Sequence, residues 1–308
     1  MASRVINSSN TPTVGNLHVE SRIQQRAMAY NNMAVRVYHN NNDGNAFETN
    51  GQRHACDPCF CPVTMVLRDH AWILCKGALE LYLASQKKSS LTSDVAATAT
   101  LSRCSPKALR YIQQAEHIYE SYTAKFRNGQ EVHEDETLPS DWDGPTHSVS
   151  GFRLHLFTTL HEIGNGTSLH DAGATIIFNL ALLQHTKDPL SLHVFSLYRL
   201  GLSLLLEDNP QSNIPRGHDD ASERVLHHHH HFYFLRIAML NNTAVWFHEN
   251  GDTVWAKHYL QQALACCRHV RDDTNVHCCC PLTSKQAQQN LLEENLQWIQ
   301  RHCSSPAA

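Results

Sequence analysis

Residues 240–264 constrain the fold more than any other stretch of this chain, because they carry two helical patterns separated by a turn. Ala244 and Ala256 are small residues at positions where two helix backbones would approach closely. Phe247 and Leu260 are large enough to fill the space on either side of that contact. The pattern therefore predicts two antiparallel helices that pack directly on each other.

The turn between these helices has a sequence signature of its own. Gly251 can end the first helix in a left-handed backbone conformation, and Asp252 can cap the second by accepting hydrogen bonds from its free amides. One such helix pair cannot bury its own apolar face. The chain must then hold further pairs that stack on it.

A short phrase, asparagine, any residue, alanine and an apolar residue, indicates where those pairs lie. It occurs at 32–35, 179–182 and 242–245, each time in a helical context. The predicted second helices carry Ala78, Tyr82 and Ser85 in the first copy, and Val194, Tyr198 and Gly201 in the middle copy. In the first copy about thirty residues must loop out between the two helices.

The skeleton of the last copy resembles a tetratricopeptide repeat, through Leu240, Thr243, Ala244, Phe247, Gly251, Asp252, Ala256, Leu260 and Ala263. The resemblance is specific in roughly the last third of the chain. It implies an all-α fold of antiparallel helix pairs, stacked as an irregular tetratricopeptide-like solenoid with long loop insertions. The alternative is an unrelated helical domain, in which small and large apolar residues recur through ordinary core packing.

The rest of the chain is assigned from caps, breakers and periodicity. We expect disorder over 1–16 and one tetratricopeptide-like helical domain over 17–303, with long loops near 39–64, 127–149 and 207–221. Helices are predicted at 17–38, 65–85, 106–126, 168–185, 188–206, 222–250, 252–267 and 283–302. The segment 150–166 stays unassigned, because part of it alternates like a strand and part of it also fits a helix.

Composition narrows the class of function. The net charge of −4, the pI near 6.6 and the scattered basic residues disfavour nucleic acid as a partner. No run of about eighteen apolar residues predicts a membrane span, and the polar N-terminus lacks the apolar core of a secretion signal. The 11 cysteines are odd in number and bunched, which fits a reducing compartment. We expect a cytoplasmic protein, with the nucleus as a second location, and the oligomeric state stays open.

Two groups of residues suggest a metal-binding protein or enzyme as the alternative function. His54, Cys56, Cys59 and Cys61 are four potential zinc ligands, but they form a single compact loop without a second ligand pair nearby. The run His227–His231 places its two end residues one helical turn apart, where they could share an ion. A low-complexity tract on a solvated helix explains the run more simply.

Catalytic motifs fail on inspection. His161 and Glu162 begin a metalloprotease pattern, but Asn165 stands where its second histidine is required. A phosphate-binding loop and a nucleophile elbow are both missing from the sequence. We therefore expect that the protein is not an enzyme and that it has no catalytic residue and no cofactor.

The better candidate site is the concave surface that stacked first helices would present to a peptide or partner helix. The residues that the resemblance places there are Asn31, Phe178, Leu182, Asn241, Val245 and His248. Because an asparagine amide both donates and accepts, a row of them can bind an extended peptide backbone whatever its sequence. Alternatively, Asn32, Asn179 and Asn242 bond to neighbouring backbone and lock one repeat to the next.

Overall fold

The structure, a computed structural model, describes residues 14–42, 62–86, 104–129, 154, 156–157, 160–164, 167–207, 221–272 and 282–303. Within these residues all regular structure is α-helical and no strand occurs, so the predicted all-α class is confirmed. The helices are α1 Val14–Asn42, α2 Pro62–Gln86, α3 Pro106–Gly129, α4 Leu169–Lys187, α5 Leu192–Glu207, α6 Ala221–Glu249, α7 Thr253–Asp272 and α8 Leu282–Cys303.

The predicted caps and the predicted turn are present. Ser105, Ser168 and Asp252 precede α3, α4 and α7, and the backbone N–H three residues further on donates to each of these side chains at 3.1 Å. Gly251, between α6 and α7, has a φ of 81°, which is the left-handed conformation expected there. Short polar side chains and one glycine thus set these helix ends.

Several predicted boundaries are wrong, since α1 continues to Asn42 rather than ending at 38 and α7 continues to Asp272 rather than ending at 267. The second helix of the middle pair was expected from Asp188, but α5 begins at Leu192. Asp188 instead ends α4, where its N–H donates to the carbonyl of Gln184 at 2.8 Å. Its φ of −144° and ψ of 83° are not helical. Residues 189 and 190 form a turn before the helix instead, and the N–H of Ser191 donates to the carbonyl of Asp188 at 3.2 Å.

Helix contacts follow a regular order. α1 packs on α2, α4 on α5, and α6 on α7. The pairs are joined because α2 contacts α4 and α5 contacts α6, while α1 contacts α4 and α4 contacts α6. α3 packs against α2, and α8 packs against α7. The helices α1, α4 and α6, which carry the asparagine phrase, therefore lie in one row.

Small residues stand where these helices meet. The alanine of each asparagine phrase and the residue predicted to face it are completely buried, namely Ala34, Ala78, Ala181, Val194, Ala244 and Ala256. Gly77 serves the same purpose between α2 and α3, because a Cβ added there would lie 2.3 Å from the Cβ of Ala115. Close helix contact through small side chains is thus a general feature of this core.

Several sequence predictions fall wholly or partly outside the described residues. Of the expected disordered stretch 1–16 only residues 14–16 are described, and these belong to α1. Most of the three predicted loops, at 43–61, 130–149 and 208–220, is outside the description as well. Among the helices that are described, none combines the length and the apolar character needed to span a bilayer.

Candidate functional site

A segment whose described residues form neither helix nor strand lies across the row of α1, α4 and α6. We call residues 154–164 the crossing segment; the structure describes Leu154, Leu156, Phe157 and residues 160–164 of it. Five of its apolar side chains are at most 4% exposed, those of Leu154, Leu156, Phe157, Leu160 and Ile163. Loops usually stay on the surface, because buried backbone needs partners for its polar groups. This segment must obtain such partners from the helices.

Asn242 on α6 supplies the first pair of partners. Its Oδ1 accepts a hydrogen bond from the N–H of Phe157 at 2.8 Å, and its Nδ2 donates to the carbonyl of the same residue at 3.0 Å. One side-chain amide thus satisfies both polar groups of one backbone residue. Neither of these two hydrogen bonds involves the side chain of Phe157.

The same two-point bond recurs on the other two helices. Asn179 on α4 accepts from the N–H of His161 at 2.9 Å and donates to its carbonyl at 2.8 Å. Asn32 on α1 accepts from the N–H of Ile163 at 2.8 Å and donates to its carbonyl at 2.9 Å. We call the surface formed by Asn32, Asn179 and Asn242 the asparagine face.

Asn31 and Asn241, which precede Asn32 and Asn242, link the asparagine face through further hydrogen bonds. Asn31 donates to the carbonyl of His161 at 3.0 Å and accepts from Nδ2 of Asn179 at 2.9 Å. Asn241 donates to Oδ1 of Asn242 at 3.2 Å and accepts from Nδ2 of Asn295 on α8 at 2.9 Å. These bonds fix which end of each amide meets the crossing segment.

A buried pair of polar side chains, Tyr198 and His185, lies next to Asn242. Its Nδ2 also donates to the hydroxyl of Tyr198 at 3.4 Å, and that hydroxyl lies 3.2 Å from Nδ1 of His185. Burial raises the pKa of Tyr198 above its ordinary value and lowers the pKa of His185 to about 3. Both side chains are therefore neutral near pH 7, as a buried polar pair requires.

Aromatic rings of α4 and α6 surround the side chains of the crossing segment. The imidazole of His161 lies 5.5 Å from the ring of Phe178 and 4.9 Å, edge to face, from the ring of Phe234. The Phe157 ring meets Phe234 edge to face at 6.0 Å. Such contacts add to the area that these side chains bury. The backbone bonds are thus supplemented by contacts that depend on the side chains.

The C-terminal end of the crossing segment is held by polar contacts. Glu162 forms a surface ion pair with Arg36 of α1 at 3.3 Å. The hydroxyl of Thr167 donates to the carbonyl of Gly164 at 2.8 Å, just before Ser168 caps α4. An exposed ion pair contributes little to stability. It does, however, distinguish acidic from basic residues at position 162.

The gain and the cost of holding the crossing segment are of similar size. Burial of five apolar side chains contributes about 2 kcal/mol each, and the seven asparagine-to-backbone hydrogen bonds contribute about 1 kcal/mol each. Ordering about ten residues costs roughly 1 to 2 kcal/mol for each of them. The net free energy that retains the segment is therefore only a few kcal/mol.

The predicted binding residues have different surroundings. Asn31 and Phe178 contact the crossing segment, as described above. Asn241 bonds to Asn295, and the ring of His248 packs edge to face against Trp298 of α8 at 4.9 Å. Leu182 and Val245 lie in the hydrophobic core. All except His248 are completely buried. Of the six, Asn31 and Phe178 are the two that the described contacts bring to the crossing segment.

The structure also bears on the two alternatives for the asparagine phrase. Asn32, Asn179 and Asn242 do bond to backbone, but the backbone belongs to the crossing segment rather than to a neighbouring helix. Sequence reasoning missed the crossing segment and Asn295. Six apolar residues in the unassigned stretch 150–166 were the available signal for the segment. Asn295 gave none, because Gln297 stands where the phrase has alanine.

The metal-binding alternative rests mainly on residues outside the description. His54, Cys56, Cys59 and Cys61 lie there, as do the side chains of His227–His231, whose backbone belongs to α6. In the described part of the chain, no group of three or more His, Cys, Asp or Glu residues is placed to hold a metal ion.

Comparisons of this chain with models of protein families, with curated proteins and with solved structures give no match. What the chain does is therefore inferred from the contacts of its own residues. Among those contacts, the three two-point bonds of the asparagine face are the most specific.

Proposed function

We propose that this chain is a protein-binding scaffold, and that its asparagine face binds an extended segment of a partner protein by the backbone. The observation that carries the proposal is the repeated geometry of Asn32, Asn179 and Asn242. Each amide holds the N–H and the carbonyl of one residue of a non-helical segment. Recognition of this kind needs no particular side chain, so it suits an extended peptide.

The proposed architecture is a tetratricopeptide-like stack of three helix pairs, α1–α2, α4–α5 and α6–α7, with α8 as its terminal cap. The order of helix contacts supports it, as do the buried alanines of the three asparagine phrases. In such a stack the first helix of each pair lines one surface. One asparagine per pair then meets one ligand residue per pair, and the action is binding without covalent chemistry.

A variant with the face uncovered tests the function. In this open-face variant of the full chain, Leu154, Leu156, Phe157, Leu160 and Ile163 are all replaced by serine. It is immobilised and panned with a display library of random peptides, after circular dichroism has shown that the helices persist. Should it fail to fold, the single substitution Phe157→Ser replaces it.

The matched control carries Asn179→Ala in addition. Selected peptides are expected to bind the open-face variant and to lose about tenfold or more in affinity when the two hydrogen bonds that Asn179 makes to the ligand backbone are removed. Failure to select any peptide whose binding depends on Asn179 would overturn the proposed function.

A further inference from the structure

The inference rests on the proposed function and names the ligand of the same site. We infer that the crossing segment is the built-in occupant of the asparagine face, and that it competes with a partner peptide of its own chemical pattern. That partner is an extended peptide with an aromatic residue, then a planar ring four residues later, an acidic residue next and an apolar residue after it. These positions correspond to Phe157, His161, Glu162 and Ile163.

The hydrogen bonds set the register of such a ligand. The bonded residues are 157, 161 and 163, so a partner needs free N–H and carbonyl groups at positions spaced by four and then by two. Its N-terminal end lies over α6 and its C-terminal end over α1. Proline at a bonded position is excluded, because it has no N–H to donate.

Side-chain contacts set the chemistry of the ligand. The ring of Phe234 and the aromatic ring at position 157 meet edge to face. Phe178 and Phe234 both contact the ring at position 161. Arg36 lies 3.3 Å from the carboxylate of position 162. A basic residue there would face the guanidinium and weaken binding. The face thus combines a backbone site with preferences at these three side-chain positions, and the burial of Ile163 adds an apolar preference at a fourth.

The covalent connection makes the crossing segment a strong competitor. It continues through Ser168 directly into α4, so its effective concentration at the face is on the order of millimolar. A free peptide therefore has to displace it. The segment can leave, because the gain and the cost of holding it are nearly balanced and no covalent bond fixes it to the face.

The first experiment measures a fluorescently labelled synthetic peptide of residues 153–165 by anisotropy. It is expected to bind the open-face variant, and to bind the wild-type chain about 100-fold more weakly, because the segment occupies the site there. Peptides with serine at position 157 or lysine at position 162 serve as controls and are expected to bind less well, with the larger loss at 157. Equal binding to both proteins would overturn the competition.

The outcomes separate this inference from the proposed function. If library peptides bind the open-face variant through Asn179 but the 153–165 peptide does not, the function stands and the inference fails. If no peptide binds through Asn179, both fail.

A second experiment uses the unaltered chain, so it does not depend on the folding of any variant. Amide hydrogen exchange is measured at Phe157, His161 and Ile163, and at Leu180 and Leu240 inside α4 and α6. A displaceable segment is expected to open while the helices stay folded. Its three amides should therefore exchange about 100-fold faster, or more, than the two helix amides. Exchange at the rate of the helix amides would mean that the segment leaves only on global unfolding, and the inference would be wrong.

Discussion

Replacement of Asn242 by alanine tests the physical basis of the asparagine face. The substitution removes both bonds to Phe157, whose side chain is only 2% exposed, and leaves a buried N–H and a buried carbonyl without their partner. Each unsatisfied group costs about 1 to 3 kcal/mol. The higher helix propensity of alanine returns about 0.5 kcal/mol. We expect the free energy of unfolding to fall by about 3 kcal/mol.

Asn250 provides the matched control. It follows the same helix and is exposed, and its Nδ2 donates to the carbonyl of Trp246 at 2.8 Å. Asn250→Ala is expected to cost less than about 1 kcal/mol, since water can replace the lost bond. Both variants are unfolded with urea and followed by far-ultraviolet circular dichroism. If Asn242→Ala costs no more than Asn250→Ala, the two-point bonds do not hold the segment.

Three further predictions concern the core. Ala244→Arg drives a charge into a completely buried helix contact and should cost several kcal/mol; an unchanged melting temperature would contradict the packing described. Gly77→Ala brings a Cβ to 2.3 Å from the Cβ of Ala115 and should cost about 1 to 3 kcal/mol by urea unfolding, and a neutral result would mean that α2 and α3 are further apart. The pKa of His185 is about 3 in the folded chain and near 6.5 when unfolded, so only the unfolded state gains a proton between these values. Stability should therefore fall as the pH drops below 6.5, by about 2 kcal/mol at about pH 5, and His185→Gln should remove that loss; an unaltered pH dependence in the variant would refute the assignment.

Local patterns predicted most of the helical framework. Caps such as Ser105 and Asp252, and the glycine at position 251, act within a few residues of themselves, so the sequence displays them directly. The buried alanines were predicted because close packing requires small side chains at regular spacing. The start of α5 was missed because residues 189 and 190 form a turn before the helix, although the Asp188–Pro189 pair resembles the Ser105–Pro106 pair that does start α3.

The crossing segment could not be predicted in the same way. Its bonds to Asn242 and Asn32 join residues 85 and 131 positions apart in the chain. Periodicity within 150–166 reports neither partner, and it suggested a strand or a helix where the described residues 154, 156, 157 and 160–164 form neither. The asparagine phrase did predict side chains that bind backbone. One of its two interpretations assigned Asn32, Asn179 and Asn242 to backbone of the chain itself, but neither interpretation indicated that this backbone lies in 154–164.

The predicted site residues divide for a related reason. Leu182 and Val245 each follow a bonding asparagine by three residues, close to it on a helix that has neighbours on both sides. Positions of this kind are filled by core side chains, and both residues are completely buried. Asn31 reaches the crossing segment because its amide lies beside Asn179.

Calorimetric titration of the open-face variant with the 153–165 peptide, in parallel with the same variant carrying Asn179→Ala, tests the central claim most directly. Saturable binding that weakens about tenfold or more on loss of Asn179 is the predicted result. Heat that shows no saturation, or an affinity that Asn179→Ala leaves unchanged, would contradict recognition of a peptide backbone by the asparagine face.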